Sequence, residues 1–363
     1  MPNGTNCLTT ATSSAMWTTS SVGSDCNGQS HDEIGSTKAA SPAPSTRRSV
    51  AADNYAKNAR PFKPCTLTRG GEKGSVLKQR LASAFIGIPL GLLLVWVGGL
   101  PLHLAALTLT ALGAWELTKA MRRRRIAVLR EIALLCPLAL LMALPLMGGD
   151  ATNFFRLWVI LLLVALFASL TAHIFWHSST PAEGMPMGWR IQSVGATVLS
   201  VLYLSLFAFP LLLRQLRGHD GSELGRDVLL LSLAILWATD ATAYFVGTRW
   251  GKRPIAPQIS PGKTWEGSLA GIVGGVLAGA FTTALLPFLP NGTVLTFRQV
   301  VPMAVVVSAV GQIGDLCESV LKRDLGIKDF SGLIPGHGGI LDRFDSLLLA
   351  MPFVYFWALW QGR

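Results

Sequence analysis

Apolar segments separated by short polar links run almost without pause from residue 81 to residue 360. They cover 81–100, 102–115, 132–147, 157–175, 194–213, 228–246, 269–288, 300–313 and 347–360. A helix needs about 20 apolar residues to cross the hydrocarbon layer of a bilayer, and shorter stretches cross where the bilayer thins. A soluble domain has no room for this much apolar surface. Half of the 363 residues are hydrophobic and only 14% are charged, and mean hydropathy is +0.45. The sequence therefore predicts an all-α, polytopic integral membrane protein with about nine transmembrane helices. Pro210 is expected to interrupt the fifth, because proline removes a helical hydrogen bond. No internal repeat is visible, which weighs against an inverted-repeat transporter.

Residues 1–74 are a different material, rich in Ser, Thr, Gly, Ala and Asn and without an apolar period. Such a stretch cannot bury enough surface to fold and reads as a disordered tail. It has no secretory h-region, and its first basic residue is Lys38, unlike a transit peptide. The remainder divides into N-terminal transmembrane helices (75–227) and a C-terminal catalytic transmembrane region (228–363).

The net charge is +11, and residues 75–363 hold 23 basic and 15 acidic side chains, an excess of +8. That excess suits cytoplasmic loops and anionic lipid or nucleotide partners, without implying nucleic acid. The four arginines at 122–125 are the strongest cytoplasmic marker. Simple alternation then puts the 249–263 loop and the 315–345 region on the cytoplasmic side, and the 214–227 loop outside. The arginines of that outer loop are offset by Asp220, Glu223 and Asp227. Five cysteines without a CxxC pair suggest neither a disulfide framework nor a zinc site. Glu116 and Glu131 fall at helix ends and read as interfacial carboxylates.

The chemistry concentrates in residues 314–346, GDLCESVLKRDLGIKDFSGLIPGHGGILDRFDS. Asp315, Glu318, Ser319 and Lys322 stand at i, i+3, i+4 and i+7, which places them on one helical face. Asp342 and Asp345 are i, i+3 at the start of the next helical run. Between the two sets lie Arg323, Lys328 and a Pro-Gly-His-Gly-Gly loop. Hard oxygen ligands beside cations and glycine backbone suit metal-assisted phosphate chemistry. The plain alternative is a solvated loop between two helices. Ionisable residues at membrane depth argue against it, since they are costly there without a role.

A second polar group precedes it. Asp240 interrupts an apolar span, with Tyr244 and Gly247 on its face, and reads as a polar wall of a cavity or as a helix-packing contact. Then come Gly251-Lys252 and Ser260-Pro-Gly-Lys263-Thr264-Trp-Glu266-Gly267. This is not a phosphate loop of the Walker type, because Pro257 stands where its first glycine belongs. A Ser-Pro turn entering a helix, with Lys263 and Thr264 in the first turn, can still hold phosphate.

The segments Ser319-Val-Leu-Lys-Arg, Lys328-Asp329, Ile334-Pro-Gly-His-Gly-Gly-Ile and Asp342-Arg-Phe-Asp345 resemble the signature of phosphatidate cytidylyltransferases. The run from Asp240 to Gly267 is similar to the same family, and the likeness spans about 75–363. The resemblance implies transfer of CMP from CTP to phosphatidate, giving CDP-diacylglycerol and pyrophosphate, at the cytoplasmic face of the cell membrane. Asp315 and Asp342 are then the first choice as ligands for Mg²⁺, with Asp345 and Glu318 as further ligands and a second ion that is divalent or monovalent. Asp315, Asp342, Lys322 and Arg323 form the expected catalytic set. Asp240, Ser260, Lys263, Thr264, Ser319, Lys328, His337, Gly338, Gly339 and Arg343 form the expected substrate-binding set. Glycine backbone in the loop is expected to approach the triphosphate, and His337 to donate to the leaving pyrophosphate. Expected partners are CTP, phosphatidate and the lipid bilayer; a homodimer is left open. The rival readings are a CTP-dependent polyprenol kinase, which transfers the γ-phosphate, and a membrane transporter. The recognisable part begins at Val76-Leu-Lys-Gln-Arg-Leu. We hypothesise that Val76 is the initiator, read from a GTG codon; the alternative is a genuine extension, and N-terminal peptide mass spectrometry separates the two.

Overall fold

The computed structural model describes residues 85–175, 188–334 and 338–361. The 1–74 tail, Val76 and the loop residues Gly336 and His337 lie outside them. Nine apolar segments become helices in the expected order: α1 (Phe85–Val97), α2 (Gly99–Arg123), α3 (Arg130–Ala143), α4 (Ala151–Phe175), α5 (Trp189–Ser205) with its short continuation α6 (Ala208–Arg214), α7 (Leu224–Trp250), α8 (Trp265–Leu285), α9 (Phe297–Asp324) and α10 (Leu341–Gln361). Among the described residues, seven spans are long and apolar enough to cross a membrane, with α5 and α6 counted as one. The two outside that count are α1, short as described, and α10, whose first turn carries Asp342, Arg343 and Asp345. Large apolar side chains such as Val159, Ile160, Leu163 and Phe167 on α4 are exposed, as lipid-facing residues are.

Three boundaries differ from expectation. The fifth span breaks at Leu206–Phe207, before Pro210 rather than at it. Proline has no N–H to return to the carbonyl of residue 206, so the ladder fails one turn upstream and Pro210 sits within the first turn of α6. The eighth span does not stop at 313: α9 runs on to Asp324, so the face of Asp315, Glu318, Ser319 and Lys322 belongs to the same helix. Thirdly, Ser260 and Lys263 do not enter a helix. Strand β1 (Pro254–Ala256) pairs antiparallel with β2 (Ser260–Thr264), the one two-stranded ribbon among the described residues. Thr264 is the N-cap of α8, its hydroxyl accepting from the Gly267 N–H at 3.2 Å. Lys263 therefore precedes the first turn.

The ribbon joins α7 and α8, which pack along a glycine stripe. Gly267, Gly271, Gly275 and Gly279 are the buried face of α8. A Cβ on Gly271 would lie 3.0 Å from the Thr239 carbonyl oxygen of α7. Small residues at i, i+4 let helix backbones approach in a bilayer, where dispersion replaces the hydrophobic effect between helices. The α9–α10 pair is equally close: a Cβ on Gly314 would lie 2.7 Å from the Asp345 carbonyl oxygen. That contact sets the two carboxylate-bearing helices side by side.

The two ends of the bundle carry different chemistry. At one end, the Arg124 Nε donates to the Leu325 carbonyl at 2.5 Å and the Arg323 Nε donates to the Ile259 carbonyl at 3.0 Å. The arginine run, the ribbon and the loop after α9 thus share that end. At the other, the 214–227 loop is neutralised by its own acids, as its composition suggested. Arg214 pairs with Glu223 at 2.9 Å, Arg217 also pairs with Glu223, and Arg226 pairs with Asp227 at 2.8 Å. Asp227 is fully buried and also accepts the Thr293 N–H at 2.6 Å, and Arg226 donates to the Pro290 carbonyl. Asp227→Ala leaves a buried guanidinium uncompensated, which costs about 3–5 kcal/mol. The expected result is a markedly lower thermal unfolding midpoint in detergent; an unchanged midpoint would show that this knot does not hold the far end together.

Candidate active site

Two lysines and four carboxylates converge at the arginine-rich end. Lys263, carried by β2, reaches Asp315 of α9 at 2.5 Å. Lys322, two turns further along α9, donates to Asp342 Oδ1 at 2.9 Å and stands 3.3 Å from Glu318 Oε1. Ser319 lies next to Asp315, with its hydroxyl 3.5 Å from Oδ1. The predicted face of α9 is therefore a real one, and the lysines neutralise it from both sides.

Asp342 is the centre of the loop that follows α9. Its Oδ2 accepts the N–H groups of Phe330 at 2.9 Å and Gly339 at 2.8 Å. With Oδ1 on Lys322, both oxygens of this buried carboxylate are engaged. Asp315 and Asp342 are thus held by different lysines instead of sharing one partner. The glycines differ from expectation as well. The Gly339 N–H is turned onto Asp342 rather than left for a triphosphate. Gly338 has φ +84 and its carbonyl oxygen accepts from the Ile334 N–H at 2.9 Å, pinching the ends of the loop together.

Glu116, read as an interfacial carboxylate, proves to be an anchor of the loop. It is fully buried on α2. It accepts from the Ser331 hydroxyl at 2.5 Å and from the N–H groups of Ile340 at 2.9 Å and Leu341 at 3.1 Å. The last two stand at the start of α10, where free N–H groups and the helix dipole favour an anion. A Cβ on Gly339 would lie 2.6 Å from Glu116 Oε1, so glycine is required there. The sequence signal was a carboxylate six residues before the arginine run, with nothing local to say what it meets.

The other predicted residues take these places. Asp240 of α7 is exposed to the space between helices, where the charges of Asp345, Asp315, Lys263 and Arg343 all act on it. Arg323 spends its guanidinium on two carbonyls, Ile259 and Ile327, and ties the ribbon to the end of α9. Lys328 and Arg343 are exposed, with no ion pair among the described residues, which leaves them free for a ligand. Ser260 is half-buried in β2 and Thr264 caps α8. His337 lies outside the described residues.

The carboxylates also bear on a metal. Among the described residues, no three of His, Cys, Asp and Glu stand in a ready-made ligand arrangement. The donors nevertheless have the right chemistry. Glu318 is 1% exposed, and neither of its oxygens has a hydrogen-bond partner of good geometry. Asp345 lies beside it, and the charge of Asp315 acts on Asp345. Adjacent buried carboxylates require a shared proton or a cation. Hard oxygens of this kind suit Mg²⁺. Glu318 and Asp345 fit that group better than Asp342, whose oxygens are taken; Asp315 would exchange its contact with Lys263 for the ion to join them.

Fold and site together define a polytopic helical membrane protein with paired lysines and carboxylates gathered at one end of its helices. Residues 78–360 match the cytidylyltransferase family. A phosphatidate cytidylyltransferase of Bacillus subtilis (strain 168) is 32% identical over 282 residues, 77% of this chain and 97% of that protein. One from Pseudomonas aeruginosa is 31% identical over 294 residues, covering 79% and 98%. One from Haemophilus influenzae is 39% identical over 170 residues, covering 42% and 57%. The chain belongs to the cytidylyltransferase family, as the motifs from Asp240 to Asp345 implied.

Proposed function

We propose that this chain transfers CMP from CTP to phosphatidate, releasing pyrophosphate and forming CDP-diacylglycerol for phospholipid synthesis. The observation that carries the reading is the meeting of Lys263, Lys322, Asp315, Asp342 and the glycine loop at one end of a helical membrane bundle in this family. A phosphate oxygen of the lipid attacks the α-phosphorus of the nucleotide, and pyrophosphate leaves. The lipid phosphate is already ionised at neutral pH, so no general base is required. Both reactants are anions, and their repulsion is the barrier that fixed positive charge lowers. Lys263 and Lys322 supply that charge, held in place by carboxylates until phosphates arrive. Lys328 and Arg343 extend it toward the nucleotide. Asp315, Glu318 and Asp345 would hold a Mg²⁺, and a second ion, divalent or monovalent, is expected with it; when bound, these ions would supply positive charge to the phosphates.

The site end is read as cytoplasmic. Its support is the contact of Arg124 with Leu325, which puts the four-arginine run beside the site. CTP then enters from water, and phosphatidate enters sideways from the bilayer it cannot easily leave. Purified protein given labelled CTP and phosphatidate, with and without EDTA, tests the reading. CDP-diacylglycerol and pyrophosphate are the expected products; a phosphorylated alcohol or solute flux would replace the reading with a kinase or a transporter.

Lys263 tests the ribbon's part. Lys263→Ala removes one charge-assisted contact, worth about 1.5–3 kcal/mol. A roughly ten- to hundredfold drop in CTP turnover is expected. Unchanged kinetics in folded protein would place Lys263 outside the reaction.

A further inference from the structure

The cytoplasmic end of α2 carries a second concave site that the transfer reaction does not use. A cavity of about 360 Å³ is lined by Trp115, Thr118, Lys119, Arg122, Arg123 and Arg130. Four of these six are cations, and among the described residues none of the four pairs with a carboxylate. Lys119 lies over the Trp115 ring at 4.0 Å, so even its one partner is an aromatic face.

Ordinary reasons for arginines at this place account for only part of the set. Arg122 and Arg123 complement the dipole at the C-terminus of α2. Arg130 is the first residue of α3, where the dipole disfavours a cation. Arg124 is the member of the run that packs inward, onto Leu325. The side chains that remain line one hollow, its walls mostly their aliphatic stems and the Trp115 ring, and their like charges lie close enough together to repel, an arrangement that an anion relieves. At a membrane surface the abundant anion is a lipid phosphate. The floor suits a lipid too: Trp115 is the residue type that sits at headgroup depth.

We propose that this hollow binds the phosphate of an anionic glycerophospholipid. The proposal needs the membrane reading but not the transfer reaction.

Native mass spectrometry of the detergent-solubilised full chain tests it, with dioleoyl phosphatidylglycerol and dioleoyl phosphatidylcholine as probes. Wild-type protein is expected to retain phosphatidylglycerol preferentially. Arg122→Gln/Arg123→Gln, both exposed positions, should lose roughly tenfold or more of that preference. Arg122→Lys/Arg123→Lys should keep most of it. Adding Arg130→Gln to the Gln pair should abolish the preference. Equal retention of the two lipids by wild type, or full preference in the Gln pair, overturns the site. Displacement of the lipid by inorganic phosphate, but not by chloride at the same ionic strength, overturns the lipid assignment in favour of free phosphate. Because binding is read directly, loss of cytidylyl transfer in any sample leaves the answer unaffected.

Discussion

Asp342→Asn is expected to lower CDP-diacylglycerol formation by about 10²–10³-fold, the scale of losing one preorganised electrostatic contact in a dry site. The carboxylate has three partners, and the amide can satisfy only two. Its oxygen can accept from Phe330 and Gly339, but its NH₂ then faces the Lys322 ammonium, a donor against a donor. Lys322 is left with Glu318 alone and turns away from where phosphate arrives. The loop stays anchored, so the protein should remain folded in membranes. Asp315→Asn should be equally damaging for a different reason, because it frees Lys263 and removes a proposed Mg²⁺ ligand. A Mg²⁺ titration separates the two. Asp315→Asn should need more metal, whereas Asp342→Asn should keep the wild-type metal dependence at reduced turnover. Glu318→Gln should hurt less than either. Mn²⁺ should replace Mg²⁺, and Ca²⁺ should do so poorly because its looser geometry misplaces phosphates. Wild-type turnover and metal dependence in Asp315→Asn would sink the carboxylate-centred mechanism.

What was legible in the sequence was local. Apolar runs gave the helices, since a bilayer leaves the backbone few other solutions. Spacing placed Asp315, Glu318, Ser319 and Lys322 on one face, because a helix repeats every 3.6 residues whatever surrounds it. The family motifs fall together at one end of the bundle. Partner choice was not legible. Nothing in the sequence says that Lys263 meets Asp315, that Arg323 is consumed by backbone carbonyls, or that the Gly339 N–H turns toward Asp342. These are tertiary facts, set by how α9 and α10 close on each other at Gly314. The ribbon was hidden for a related reason. A Ser-Pro-Gly stretch fits a turn as well as a short strand, and its pairing with Pro254–Ala256 decides between them. Glu116 was the largest omission, because its partners are more than 200 residues away.

Glu116→Gln is therefore the sharpest test of how the site is held. The carboxylate accepts three donors with two oxygens, in full burial. Glutamine keeps the volume but replaces one acceptor by an NH₂, which must confront at least one of Ser331, Ile340 or Leu341. Losing a charge-assisted bond in such a place is worth about 1.5–3 kcal/mol, so roughly a ten- to hundredfold fall in turnover is expected. Glu116 touches the loop and the start of α10, so it positions Asp342 and Gly339 instead of contacting substrate. Its loss should therefore appear in kcat more than in KM for CTP. Gly339 supplies the control that a merely structural residue would not pass. A Cβ there meets both Glu116 oxygens, at 2.6 and 2.7 Å, so Gly339→Ala alone should be severely impaired. In Glu116→Ala the same methyl group has room, and the double variant should lose much less than the two single losses multiplied. A double-mutant cycle on kcat reads that coupling directly. Independent, multiplicative losses would mean that the contact between α2 and the glycine loop does not set the geometry of the site.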